Sequence, residues 1–417
     1  MKILLKNATL LHEKSPFHNQ KKDILIVEGI LTQIEDSIEI NVDKVVDLKN
    51  LHVSSGWFDP NISFGEPGFE ERETLENGLQ TAAKSGFTHI VLNPDTDPII
   101  DSHADVSHLK KSASHYTTAL HISSVLSHGG EGKQMASLYD LQKAGAVVFG
   151  DYKKAYVNPN LLRIALDYSQ SFDGLIQAYP MDDSLGNKGH MNEGLISTNL
   201  GLKGIPNVAE TATLARDLQL LEYTKGKMHI PFISCATSVE LIRAAKKKGL
   251  NLSCGVGIPH LIYTEENLLE FNSDFKIVPP LRTSIDQRAL REGLLDGTID
   301  MVSSMHQPVN PELKNLEFVN AQDGSIGLEA AFVVLQNYFP LEKVISFLTR
   351  GKARFNIVNT PFELGSKVDF SLFNPGGFSE FSKEHIHSTS KNCMYIGTSI
   401  KGSVYGCIRG SHFQLNS

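Results

Sequence analysis

Few residues of this 417-residue chain stand at spacings that could do chemistry. Asp151 and Lys153, in Phe149-Gly150-Asp151-Tyr152-Lys153, lie two apart at the end of an apolar strand, where alternate side chains share a face. Either Lys153 turns inward as an ammonium paired with Asp151, or it faces solvent. His385-Ile386-His387 has the spacing of a metal-binding pair, but it sits in a β-rich terminal stretch, and a solvated pair is expected. His260 and His306 are isolated histidines, expected to be hydrogen-bonded structural groups. Cys235, Cys254, Cys393 and Cys407 include no CxxC pair, so free thiols in a reducing cytoplasm are expected.

The bulk numbers narrow the function classes. A hydrophobic content of 41% and a charged content of 21% suit a globular protein. A net charge of −8 argues against nucleic-acid or anionic-membrane partners, which need clustered Lys and Arg. No apolar run approaches the roughly 20 residues of a membrane span. The start, Met1-Lys2-Ile3-Leu4-Leu5-Lys6-Asn7, turns polar too early for a signal peptide.

The elements that must position any site follow from periodicity. Short strands are expected at Lys2–Asn7, Ile24–Val27, Leu31–Ile34 and Lys44–Asp47. The same texture returns at Asp369–Phe373, Met394–Ile396, Ser403–Ile408 and His412–Leu415. Residues 1–54 and 361–417 should therefore form one small discontinuous β domain. Between them, apolar strands near Trp57–Phe58 and at Thr88–Leu92, Ala119–Val125, Ala146–Phe149, Leu175–Ala178, Ile230–Ser234, Leu252–Val256 and Met301–Ser304 alternate with helices. The helices include Leu75–Lys84, Leu138–Lys143, Pro159–Ser169, Val208–Thr224 and Ser238–Lys248. Eight β-then-α units over residues 55–360 predict an α/β fold, a (β/α)8 TIM-type barrel, with chemistry at the C-terminal strand ends.

Motifs in sequence along the chain carry a resemblance. They are Ser55-Gly56-Trp57-Phe58-Asp59-Pro60, Asn93-Pro94-Asp95-Thr96-Asp97-Pro98, Gly189-His190-Met191-Asn192-Glu193-Gly194 and Gly204-Ile205-Pro206 with Ala209-Glu210. Lys276-Ile277-Val278-Pro279-Pro280-Leu281-Arg282, Gly327-Leu328-Glu329 and Ser388-Thr389-Ser390-Lys391-Asn392 follow. The chain resembles the long bacterial dihydroorotases, cyclic amidohydrolases, over essentially its whole length. That resemblance implies zinc held by a histidine pair after strand one, a middle Asp and two further histidines, with a catalytic Asp at the last strand.

Carried over onto this sequence, those positions are Asn61 and Ser63, Asp151, Tyr179, Phe232 and Met305; only Asp151 keeps the family's residue. Gly65 stands for the family's substrate-clamping Arg, and Asp95 and Val278 stand for Asn. Catalytic zinc needs about three N, S or O ligands, and a lone Asp151 does not supply them. Neither zinc nor another cofactor is expected. Phe232, Met305 and Val278 are expected to fill the former pocket.

The resemblance implies a metal-site-deficient homologue that oligomerises and acts as a structural partner of aspartate transcarbamoylase in pyrimidine synthesis. One alternative is a sensor binding a metabolite at the barrel mouth through Asp95, Asp151, Lys153 and Arg282, with Gly65, Val278 and His306 around it. The other is a cyclic amide hydrolase working through an atypical site.

Overall fold

In the computed structural model, which describes residues 1–186 and 188–416, eight short apolar segments lie side by side in chain order. They are Trp57–Ile62, Phe87–Leu92, Ala119–Ser124, Ala146–Phe149, Ile176–Gln177, Met228–Ile230, Leu252–Gly257 and Met301–Ser303. Every neighbouring pair is parallel. Strand eight closes on strand one through Asp59, whose carboxylate accepts from Ser303 Oγ (2.7 Å) and Ser304 N (2.8 Å). Ser303 Oγ also contacts the Asn61 carbonyl, and Ser63 N donates to the His306 carbonyl. Phe58, Val91, Val148, Leu175, Met301, Phe355 and Ile357 fill the lower barrel as one apolar layer. This is the expected (β/α)8 barrel.

Helix bounds follow local signals. Thr74 caps Leu75–Lys84 by accepting from Asn77 N, and Asn158 followed by Pro159 starts Pro159–Ser169. Thr283 and Asp286 form a reciprocal capping box on Ser284–Leu295. Among the described residues no helix is long and apolar enough to cross a membrane.

Both chain ends build a second sheet. His52–Ser55 lies at its centre, parallel to Thr9–Leu11 on one side and antiparallel to Phe370–Phe373 on the other. The sheet encloses its own core, including Leu5, Ile24, Val53, Phe370 and Leu372. Gly56 joins it to the first barrel strand, and a Cβ there would run into the side chains of Thr88 and Asp369.

One expected strand is absent: Met394–Ile396 is a turn. Residues 381–398 leave the sheet and pack on the barrel instead, because polar groups there find barrel partners. Thr389 N and Oγ1 donate to Glu73, Ser388 N and Oγ donate to Glu329, and Asn392 Nδ2 donates to the carbonyls of Gln307 and Gly324.

Candidate functional site at the barrel mouth

The C-terminal strand ends converge on a mouth with two unlike walls. On the polar wall, Asn61 and Ser63 project from the end of strand one, both buried. Asn93, directly after strand two, donates Nδ2 to Asn61 Oδ1 (3.0 Å) and to Ser63 Oγ (3.2 Å). An amide thus bridges the two side chains that stand for the family's histidine pair. Ser63 Oγ also reaches Tyr152 Oη at 3.4 Å.

Asp151 is turned away from this group. Its carboxylate accepts from Leu126 N and Ser127 N, both at 3.0 Å, and from Ser127 Oγ. It therefore caps the loop after strand three. Burial raises its pKa, and these donors oppose the rise.

Neither reading of Lys153 holds. It does not pair with Asp151, and it is half-buried rather than turned out to solvent. Its backbone adopts φ +53°, and Nζ donates to Gln307 Oε1 at 2.5 Å. Burial lowers its pKa, while Asp323 and Asp95 support the charge. The ammonium thus belongs with strands two and eight.

Burial raises Asp95 to about 6, against the pull of Ser63 and Lys153. Its unfolded value is near 3.9, so the folded state binds more protons between about pH 4 and pH 6 and loses stability as pH rises through that window. Asp95→Asn is expected to flatten this dependence and to gain on the order of 2 kcal/mol at pH 8 relative to pH 4. Denaturant titrations of both proteins at the two pH values check it.

The other wall is apolar. Tyr179, Met181, Ile205, Ala209 and Phe232 form one buried cluster, with Val278 and Met305 packed against it. Met305 takes φ +54°, and its thioether lies where a Cβ on Gly257 would stand. A glycine at that point admits the methionine.

Gly65 does not leave an empty clamp. Its N donates to Glu73 O and its carbonyl accepts from Phe69 N, both at 3.0 Å, so the loop doubles back. A Cβ there would strike the Phe69 carbonyl oxygen. Arg72, from the same loop, lies over the Phe69 ring at 3.9 Å.

Arg282 is committed to the scaffold. Nε donates to Ser234 Oγ (3.0 Å), and Nη1 donates to Asn192 Oδ1 (2.8 Å) and the Ile205 carbonyl (2.5 Å). It braces strand six against segments 192 and 205, which is a different task from facing a ligand beside Asp151. His306 Nδ1 accepts from Gly327 N (3.2 Å) and Leu328 N (3.4 Å). Burial lowers His306 and His260 to about 4, so both are neutral near pH 7; His260 Nε2 donates to the Pro279 carbonyl. His385 is exposed in a short 3₁₀ turn away from the mouth, held by Ser382.

A roof covers the mouth. Lys276 Nζ donates to the carbonyls of Phe318 (2.9 Å), Val319 (3.0 Å) and Ala321 (2.7 Å), and Gly324 N donates to the Lys276 carbonyl. Sequence reasoning missed Asn93 and Gln307 as members of the site. Their one signal is position, since each falls at the end of a barrel strand.

These residues do not fit zinc. The Asn61 and Ser63 oxygens are taken by Asn93, Asp151 caps another loop, and Phe232 offers no lone pair. Among the described residues no three His, Cys, Asp or Glu side chains group closely enough to hold a metal ion.

The family model described as Dihydro-orotase-like matches residues 53–238. The dihydroorotase of Caldanaerobacter subterraneus subsp. tengcongensis is 33% identical over 426 residues, covering 100% of this chain and 98% of that protein. That of Acetivibrio thermocellus is 35% identical over 412 residues, with 97% and 96% covered. Among solved structures, the L-hydantoinase (dihydropyrimidinase) from Arthrobacter aurescens superposes with a TM-score of 0.84 at 18% identity, with 99% of this chain and 96% of that one covered. The D-hydantoinase (dihydropyrimidinase) from a Thermus species gives 0.81 at 18% identity, with 99% and 97% covered. Those two share the fold. With full-length relatives above 30% identity, this chain belongs to the dihydroorotase family.

Proposed function

We propose that this chain is a non-hydrolysing member of its family, a homo-oligomer kept as a structural partner of aspartate transcarbamoylase in pyrimidine synthesis. The observation that carries the non-catalytic part is the replacement of the metal cage by two inert walls. Asn93 ties up Asn61 and Ser63 on one side, while Phe232, Val278 and Met305 pack on the other.

Amide hydrolysis in such a barrel needs an acidified water and a group that returns a proton to the leaving nitrogen. Among the described residues no side-chain group is placed to hold the first, and Met305 cannot do the second. The partner is what family resemblance supplies. Exposed apolar side chains at the roof, Leu269, Phe271, Leu313, Leu316 and Val319, fit a surface that meets another protein.

Mixed with the aspartate transcarbamoylase of its own organism, the chain is expected to elute from a sizing column in one larger complex of fixed stoichiometry. Separate elution of a monomer and of the free enzyme would sink the proposal.

A second reading, a metabolite sensor, rests on a different observation. Asn93 Oδ1, Asp95 Oδ1, Tyr179 Oη and His306 Nε2 are buried at the mouth without hydrogen-bond partners among the described residues, and such groups are costly unless something satisfies them. A thermal-shift panel of pyrimidine and hydantoin-like compounds tests it; no shift at millimolar concentration counts against it.

A further inference from the structure

A cleft of about 700 Å³ opens at the opposite pole, where the barrel strands begin, between the small β domain and the last barrel helix. That volume is in the range of small-molecule sites. Its floor is the ion pair of Lys352 and Asp369, 2.7 Å apart and 2% and 5% exposed. One side is the 12–18 loop of the β domain, where His12 stacks on Phe362 at 5.3 Å and Phe362 stacks on Phe370 at 4.4 Å. The other side is helix Leu341–Thr349 and Arg350.

Two features of the lining point to a ligand. Three of its residues carry buried polar atoms with no partner among the described residues: His12 Nδ1, Arg350 Nε and Asp369 Oδ1. Elsewhere the Arg350 guanidinium is well used, with Nη2 on the carbonyls of Leu294 (3.1 Å) and Ile299 (3.2 Å) and its plane on the Phe347 ring. Its Nε is buried with no partner among the described residues. In addition, charges of both signs line the cleft without forming an ion pair among the described residues. Beyond the Lys352–Asp369 pair, Lys14 and Arg350 are the cations, and Glu13, Glu342 and Glu363 are the anions.

This pattern selects a ligand class. A plain anion would meet the three glutamates, a plain cation would meet Lys14 and Arg350, and an apolar molecule would leave Arg350 Nε and His12 Nδ1 unsatisfied. A molecule with a carboxylate at one end and an ammonium at the other answers both. We propose that this interdomain cleft binds a zwitterion, an amino acid or short peptide, with its carboxylate toward Arg350 and Lys14 and its ammonium toward Glu342 and Glu363. The site draws residues from both domains, so occupancy ties the β domain to the barrel. It is independent of the barrel mouth and of any transcarbamoylase partner.

The test is ligand-observed saturation-transfer NMR on the full-length chain, with the protein amino acids and dialanine as probes, followed by calorimetry on any that bind. At least one probe is expected to bind with millimolar affinity or better. Its N-acetyl amide, which lacks both charges, should bind at least about tenfold more weakly, the loss of one charge-assisted hydrogen bond. The double variant Glu342→Gln/Glu363→Gln should weaken binding to a similar degree with an unchanged melting temperature, and Arg350→Gln should do so if it folds. Binding by none of the probes, equal binding of the N-acetyl amide, or undiminished binding by the double glutamine variant would each overturn the proposal.

Discussion

Supplied with dihydroorotate and zinc near neutral pH, the purified chain is expected to form product no faster than the uncatalysed reaction and to retain far less than one zinc per chain. The effect is large because several contributions vanish together. Structural zinc sites gain on the order of 10–16 kcal/mol from complete ligand sets, and here the chemistry of Phe232, Met305 and the bridged Asn61 and Ser63 offers no such set. A missing proton-transfer group removes a further factor of roughly 10²–10⁴. No single reversion repairs this. A histidine at position 61 would still face Asn93, with Asp151 turned toward Ser127. Metal analysis by mass spectrometry and a product assay decide the matter; stoichiometric zinc with turnover would refute the non-catalytic reading.

Lys352→Met should cost about 3–5 kcal/mol at pH 7, since removing one partner of a buried pair strands the other charge. Lys352 and Asp369 are nearly inaccessible, and Asp369 also accepts from His89 Nε2 at 3.4 Å. Burial by itself would raise the Asp369 pKa, but Lys352 and His89 overcome it and hold the carboxyl well below the usual range. A depressed carboxylate contributes stability that is fully present above its unfolded value, near 3.9, and that is lost as pH falls below it. The parent protein should therefore lose this contribution on acidification below about pH 4, whereas Asp369 in the variant simply protonates. The gap between the two denaturation curves should narrow at pH 3. A gap that stays constant from pH 7 to pH 3 would show that the pair is not the source.

The barrel was legible because its signals are local. Ala146–Phe149, Leu75–Lys84 and Pro159–Ser169 have the same bounds in sequence and structure, each set by an apolar run or a capping residue next to it. Met394–Ile396 misled because Met394 and Tyr395 are buried core residues within a turn rather than in a sheet, while Ile396 is exposed.

The site was legible only as positions. The two-residue alternation that would align Asp151 with Lys153 holds inside a strand, but the strand stops at Phe149 and Lys153 adopts a left-handed backbone. The partners of each side chain therefore came from distant loops: Ser127 for Asp151 and Gln307 for Lys153. Asn93, though part of a quoted motif, was not read as a site residue for a related reason. A polar residue after a strand reads as the start of a turn, and only the closed barrel brings it against Asn61 and Ser63.

The central position of His52–Ser55 in the small sheet also governs how the chain is born. During synthesis its first five strands can assemble around Leu5, Ile24 and Val53, but the outer edge of His52–Ser55 has no neighbour until residues 370–373 emerge. The whole barrel is made in that interval. A nascent chain thus carries an open strand edge with unpaired backbone groups past the completion of its larger domain, and such edges recruit other strands. Chains that end early, after the barrel but before residue 369, are expected to aggregate or to be held by chaperones rather than accumulate as a free, folded barrel.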